Sequence, residues 1–154
     1  MSVTNILKAY QQSEPIQKLI RLLADEQQQI SIPNLSGSAL SFLITAVFRQ
    51  IDTPFLILFR DKEEAAYYLN DLEQLIGDKE LLFFPGSYRR PYQIEEVDNI
   101  NILLRTEVLN RINSRRKPAI IVSYPDALFE QVITKSELES NTLKIHTGDA
   151  LSLN

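Results

Sequence analysis

Apolar residues fall into two rhythms along this chain. In one they recur at helical spacing. Ile16, Leu19, Ile20 and Leu23, behind a Pro15 suited to a first helical turn, predict an amphipathic helix running to about Glu26. Phe42, Leu43, Ala46 and Val47 belong to a helix that is apolar on most sides and therefore buried. Asp61 can cap a helix that gathers Ala65, Tyr68, Leu69, Leu72, Leu75 and Ile76 on one face and ends at Gly77. Ile100, Leu103, Leu104, Val108 and Ile112 mark another helix. In the second rhythm the runs have strand length. "PFLILF" (54–59), "ELLFFP" (80–85) and "AIIVS" (119–123) are continuous and apolar, as expected of parallel strands covered on both faces. Ile30 and Ile32 alternate with Gln29 and Ser31 as a shorter strand. Strands alternating with helices predict an α/β fold with a mainly parallel sheet and flanking helices.

After Tyr124 the pattern changes. "YPDALFEQVI" reads as a short helix, and Ser136 to Glu139 has the spacing of a capping box. "TLKIHTGDALSLN" (142–154) begins a strand and stops without a partner, as a piece cut from a longer protein would. The expected division is one α/β domain over residues 1–140 and the start of a following domain over 141–154.

Composition narrows the classes. With 154 residues the chain can close one core, and with 44% hydrophobic and 23% charged residues it is neither disordered nor fibrous. It has no cysteine, which excludes disulfides and thiolate metal sites. The N-terminus lacks a basic start followed by an apolar stretch, and no run approaches the roughly 18 apolar residues of a membrane span, so a cytoplasmic location is expected. The net charge of −4 argues against a whole-surface nucleic-acid footprint. Between Tyr88 and Pro118, however, seven basic residues face four acidic ones, Arg89, Arg90 and the run Arg115, Arg116 and Lys117 among them. Such a run is equally a solvated connector.

The loop between Ile32 and the buried helix, "NLSGSALS" (34–41), has the outline of a phosphate-binding loop of the form G-x-x-x-x-G-K-[ST]. Asn34 stands for the first glycine, Ala39 for the second and Leu40 for the lysine, while Ser41 keeps the hydroxyl. An apolar Leu40 cannot neutralise triphosphate charge. Gly37 and the helix dipole can still hold a small anion weakly, and Ser36, Gly37 and Ser38 serve equally as a turn and cap. His146 is the single histidine and has no metal-ligating neighbours in sequence. The adjacent pairs Glu63–Glu64 and Glu95–Glu96 face different ways on a helix and make no two-carboxylate site. Asp126, after "IIVSYP", is the one carboxylate placed even loosely like a catalytic strand-end acid. In "FFPGSYRRPYQ" (83–93), Tyr88 and Tyr92 bracket Arg89 and Arg90, a mixture suited to stacking and phosphate contact, or to packing over the sheet edge.

"LSGSA" (35–39), "LFFPGSY" (82–88) and "VSYPDAL" (122–128), in this order and spacing, resemble the N-terminal UvrB-like module of bacterial transcription-repair coupling factors (the Mfd family), from about Glu14 to the end of the chain. The resemblance implies a degenerate P-loop NTPase fold like domain 1a of the repair helicases. It implies a non-catalytic scaffold module with no cofactor of its own. The parent's ATP- and Mg-dependent motor would lie downstream, and its activity would be displacing stalled RNA polymerase from double-stranded DNA. It further implies recruitment of UvrA through the domain that "TLKIHTGDALSLN" opens. The alternative is a divergent nucleotide-binding domain of a repair helicase such as UvrB. Against it, Asn34, Ala39 and Leu40 break the loop, and the passage from Tyr92 to a helix by Ile100 leaves no room for the long tyrosine-rich hairpin of UvrB.

Overall fold

The computed structural model describes residues 2–24, 29–77, 80–87, 98–114 and 117–141. Its helices are α1 (Val3–Gln12), α2 (Glu14–Leu23), α3 (Ala39–Phe48), α4 (Lys62–Ile76), α5 (Asn99–Ser114), α6 (Pro125–Phe129) and α7 (Lys135–Ser140). Its strands are β1 (Phe55–Leu58), β2 (Leu81–Phe83) and β3 (Ile120–Ser123). The expected strand Thr142–Thr147 lies outside the described residues.

The three strands form a parallel sheet of order β1-β3-β2, with Phe55 opposite Ile120 and Leu81 opposite the same Ile120. Central β3 is buried at every position, which requires cover on both faces. Phe48 of α3 meets Phe55 edge-on, and Tyr68 of α4 stacks on Phe59 at 4.5 Å, so α3 and α4 cover the face that carries Phe55, Ile57 and Phe59. Helix α5 packs against β2. A second cluster joins Leu7, Ile16 and Leu19 of α1 and α2 to Ala46 and Val47 of α3. Buried between two clusters, α3 is apolar nearly all round for this reason.

The predicted ends of α4 are the observed ones. The Asp61 carboxylate accepts from Glu64 N at 2.8 Å, and Gly77, at φ 94°, closes the last turn. Helix α1 was not read from the sequence, although Ser2 as cap and Val3, Ile6, Leu7 and Tyr10 at helical spacing announce it.

Four expectations require correction. Ile30 and Ile32 are not in the sheet; the segment runs irregularly into Pro33, which has no N–H, and Asn34 at φ 62°, and Ile32 is exposed. The sheet therefore has three strands among the described residues, not four. "PFLILF" is an edge strand with one covered face; Leu56 and Leu58 are 57% and 51% exposed, because α5 lies over the opposite edge. The inward face of α5 is not Ile100, Leu103 and Ile112, all of which are exposed, but Arg105 and Val108 with Leu109 beside them. A helix with apolar residues on every side does not declare its core face by period, and buried acceptors drew Arg105 inward. Finally, the capping box belongs to Thr134 and Glu137, each accepting from the other's backbone N–H, and not to Ser136 and Glu139.

Candidate functional site

The residues from Asn34 to Ser41 form a turn with two left-handed positions, Asn34 at φ 62° and Gly37 at φ 54°. Asparagine tolerates this region better than most side chains, and glycine occupies it without strain. Ser36 accepts a long hydrogen bond from Ala39 N at 3.4 Å, the first bond of the turn entering α3. Ser38 is the N-cap residue, yet its hydroxyl makes no capping bond. It donates instead to Asp71 Oδ2 of α4 at 2.9 Å, and the fully buried Ser41 hydroxyl reaches the same oxygen at 3.3 Å. Leu40, in the place of a phosphate-binding lysine, packs against the main hydrophobic core. Asn34, Ser36, Gly37 and Ser38 are exposed. The loop thus keeps a turn and three serine hydroxyls, two of them engaged by a carboxylate, with no cation among its own residues.

Tyr88, Arg89, Arg90 and Tyr92 lie outside the described residues, as does His146. The residues on either side of the Tyr-Arg segment are held together, Asp98 N donating to Ser87 O at 3.0 Å. Beneath this closure lies a polar network that sequence reasoning missed. Glu130 accepts from Ser87 N with both carboxylate oxygens, at 3.0 and 2.8 Å, and from the Ser87 hydroxyl. Tyr124 OH accepts from Gly86 N at 2.8 Å. Arg105 Nη1 donates to Pro85 O at 2.8 Å and Ala127 O at 3.0 Å and lies 3.5 Å from Glu130 Oε2, with the guanidinium 4.2 Å above the Phe84 ring. A Cβ at Gly86 would stand 2.7 Å from Glu130 Oε1, so a larger residue here would displace the carboxylate oxygen that accepts from Ser87 N. Burial pushes the Arg105 guanidinium down from its ordinary value, with Glu130 and then Tyr124 opposing the shift. Pairs so distant in sequence leave no local signal.

Burial is also the main cause that raises the Tyr124 phenol above its ordinary value, with the Gly86 N–H acting the other way. The folded chain therefore holds this proton more tightly than the unfolded one. Its contribution to stability is complete below the unfolded value of about 10 and is lost as pH rises from there through the raised folded value. Tyr124→Phe is expected to leave a flatter alkaline limb in a plot of urea midpoint against pH. It should also lose about 1–3 kcal/mol at neutral pH, since the buried Gly86 N–H keeps no acceptor. Parallel alkaline limbs for the two proteins would refute this assignment.

Other chemistry is sparse. No group of three or more His, Cys, Asp or Glu able to hold a metal occurs among the described residues. Asp126 is exposed in the first turn of α6, where an acid complements the helix dipole. Glu64 accepts from Arg60 N at 2.8 Å and serves the start of α4. An open depression of about 620 Å³ at the amino ends of the strands sets Arg49 and Lys117 against Asp52 and Glu80, so no net charge selects a ligand there. No helix among the described residues is long and apolar enough to cross a membrane.

No protein-family model matches the chain, and no solved structure matches it. It is similar to the transcription-repair-coupling factor of Bacillus subtilis (strain 168), 22% identical over 145 residues that make up 94% of this chain and 12% of that protein.

Proposed function

We propose that this chain is a non-catalytic interaction and scaffold module of a transcription-repair coupling factor, built on a helicase-like α/β fold whose phosphate loop has lost its ligand. The observation that carries the reading is Leu40. The position that would supply a lysine to a triphosphate instead packs a partly buried apolar side chain against the core, so no cation stands there to meet a phosphate. Similarity to the Bacillus subtilis coupling factor along nearly the whole chain supports the same reading. In it, residues 1–140 are the UvrB-like domain and 141–154 open the next.

In this reading the ATP- and Mg-dependent motor that moves on double-stranded DNA and displaces RNA polymerase lies further along the parent polypeptide. UvrA is held mainly through the following domain. The present domain contributes surfaces for other parts of its own chain. The bare side of β1, with Leu56 and Leu58 exposed beside a strand edge that is unpaired among the described residues, is suited to protein contact. Tyr88, Arg89, Arg90 and Tyr92 form the second surface proposed, toward DNA or a neighbouring domain.

The test is titration of the 154-residue chain with a fluorescent ATP analogue and Mg²⁺. The missing lysine contact to phosphate is worth about 1.5–3 kcal/mol, and Asn34 and Ala39 lack the glycine freedom that turns loop N–H groups onto phosphate, so affinity falls by about one to two orders of magnitude or more and no saturable binding is expected. Micromolar binding would overturn the scaffold reading and favour a divergent nucleotide-binding domain.

A further inference from the structure

The bonds between β1 and β3 give every backbone group of β1 a direction. Phe55 N donates to Ala119 O and Phe59 N to Ser123 O, each at 3.0 Å, so Phe55, Ile57 and Phe59 turn their N–H and C=O groups toward β3. Leu56 and Leu58, alternating with them, turn theirs outward, where no strand meets them among the described residues. The free edge is bounded at both ends. Pro54 has no N–H to offer, and the Arg60 N–H is taken by Glu64 Oε2 at 2.8 Å. Between these stops stand two donors and two acceptors, beside leucine side chains that are 57% and 51% exposed.

We infer that β1 is a self-complementary edge on which a second copy of this chain docks antiparallel, with Leu56 opposite Leu58 of the second copy and Ile57 beside the two-fold axis. In that register the free groups satisfy one another. Leu56 N donates to Leu58 O across the axis and Leu58 N to Leu56 O, each twice by symmetry. The neighbouring registers do worse: Leu56 on Leu56 sets Leu58 O against Pro54, and Leu58 on Leu58 sets Leu56 O against the occupied Arg60 N–H. Charge favours the same direction. Asp52, before the strand, comes opposite Lys62 of the second copy at both ends of the interface, whereas a parallel arrangement would set Asp52 against Asp52 and Arg60 against Arg60. With the axis normal to the sheet, the two bare faces lie on one side, and the four leucines close into a single cross-strand patch. Two three-stranded sheets become one of six. Such an interface is smaller than the roughly 1,200–2,000 Å² of tight complexes, so the dimer is weak and depends on concentration. The bare side of β1 serves protein contact in the scaffold reading too, but self-pairing does not depend on that reading.

Sedimentation velocity of the 154-residue chain from about 10 μM to about 1 mM should show monomer passing to dimer and no larger species, because a two-fold pairing closes on itself. Backbone amide exchange should slow at Leu56 and Leu58 at the higher concentration and stay unchanged at Phe55 and Ile57, whose N–H groups already face β3. Leu58→Lys, at an exposed position, should weaken dimerisation at least about tenfold. Asp52→Lys and Lys62→Asp should each weaken it about twofold to fivefold, and the two together should restore it. A chain that stays monomeric across the range overturns the inference and leaves the scaffold reading standing. So does a dimer that survives Leu58→Lys but is lost with Phe129→Ser, because the 86% exposed Phe129 would then hold it. Urea unfolding checks that each variant keeps its fold. Should Leu58→Lys not unfold cooperatively, the charge exchange decides alone, and its failure to restore dimerisation overturns the antiparallel pairing.

Discussion

Alanine in place of Arg105 should remove about 3–5 kcal/mol of folding stability, the range found when one partner of a buried charge pair is deleted. Three losses combine. Pro85 O and Ala127 O, both served by Nη1, lose their donor in a place where water does not readily replace it. Phe84 loses the cation above its ring, together with the packing of a long side chain that is only 6% exposed. Glu130 loses its counter-charge, although its bonds to Ser87 remain and its side chain is 21% exposed, which keeps the effect from exceeding this range. Arg105→Lys should recover only a part, because an ammonium can donate to both carbonyls as Nη1 does but has no planar face to lie on the Phe84 ring. Urea unfolding reads the result as a lower midpoint with an unchanged slope. A loss below about 1 kcal/mol would mean that α5 is not fixed through this guanidinium.

The same residue shows where sequence reading stops. Strand runs were legible because continuous apolar stretches of strand length have few alternatives in an α/β pattern, and β1, β2 and β3 fall inside "PFLILF", "ELLFFP" and "AIIVS". Helix ends were legible where a cap is local, as at Asp61 and Gly77. What depends on contact between distant segments was not. Asp71 stands 30 residues beyond Ser41, and nothing in its surroundings on α4 marks it as the partner of two loop hydroxyls. Arg105 lies within a basic stretch that reads as solvated, yet the carbonyls of Pro85, after β2, and Ala127, in α6, make burial favourable. Two isoleucines alternating before Pro33 looked like a strand, but a strand exists only when a neighbour accepts its hydrogen bonds, and none does so here among the described residues.

Leu72→Ala should lower stability by about 2–5 kcal/mol, while Leu103→Ala should change it by no more than about 0.5 kcal/mol. Period alone placed both leucines on apolar faces, and only the structure separates them. Leu72 is fully buried in the main core and is among the largest wholly enclosed side chains of the described residues; Leu103 is 68% exposed on the outer side of α5. Truncating Leu72 removes the transfer free energy of the lost methyl and methylene groups and leaves a cavity. The walls of that cavity cannot easily close in, because α4 is held on one side by α3 and on the other by β2 and β3. The Asp71 bonds to Ser38 and Ser41 fix the helix at the adjacent residue. The loss should therefore fall in the upper half of its range, and Leu72→Met, which conserves volume, should cost less than about 1.5 kcal/mol. Truncating Leu103 removes surface that is already in water, so neither term applies. Paired urea titrations of the three variants decide the matter. Equal losses for Leu72→Ala and Leu103→Ala would mean that the buried face of α5 includes Leu103, and the orientation that brings Arg105 inward would have to be abandoned.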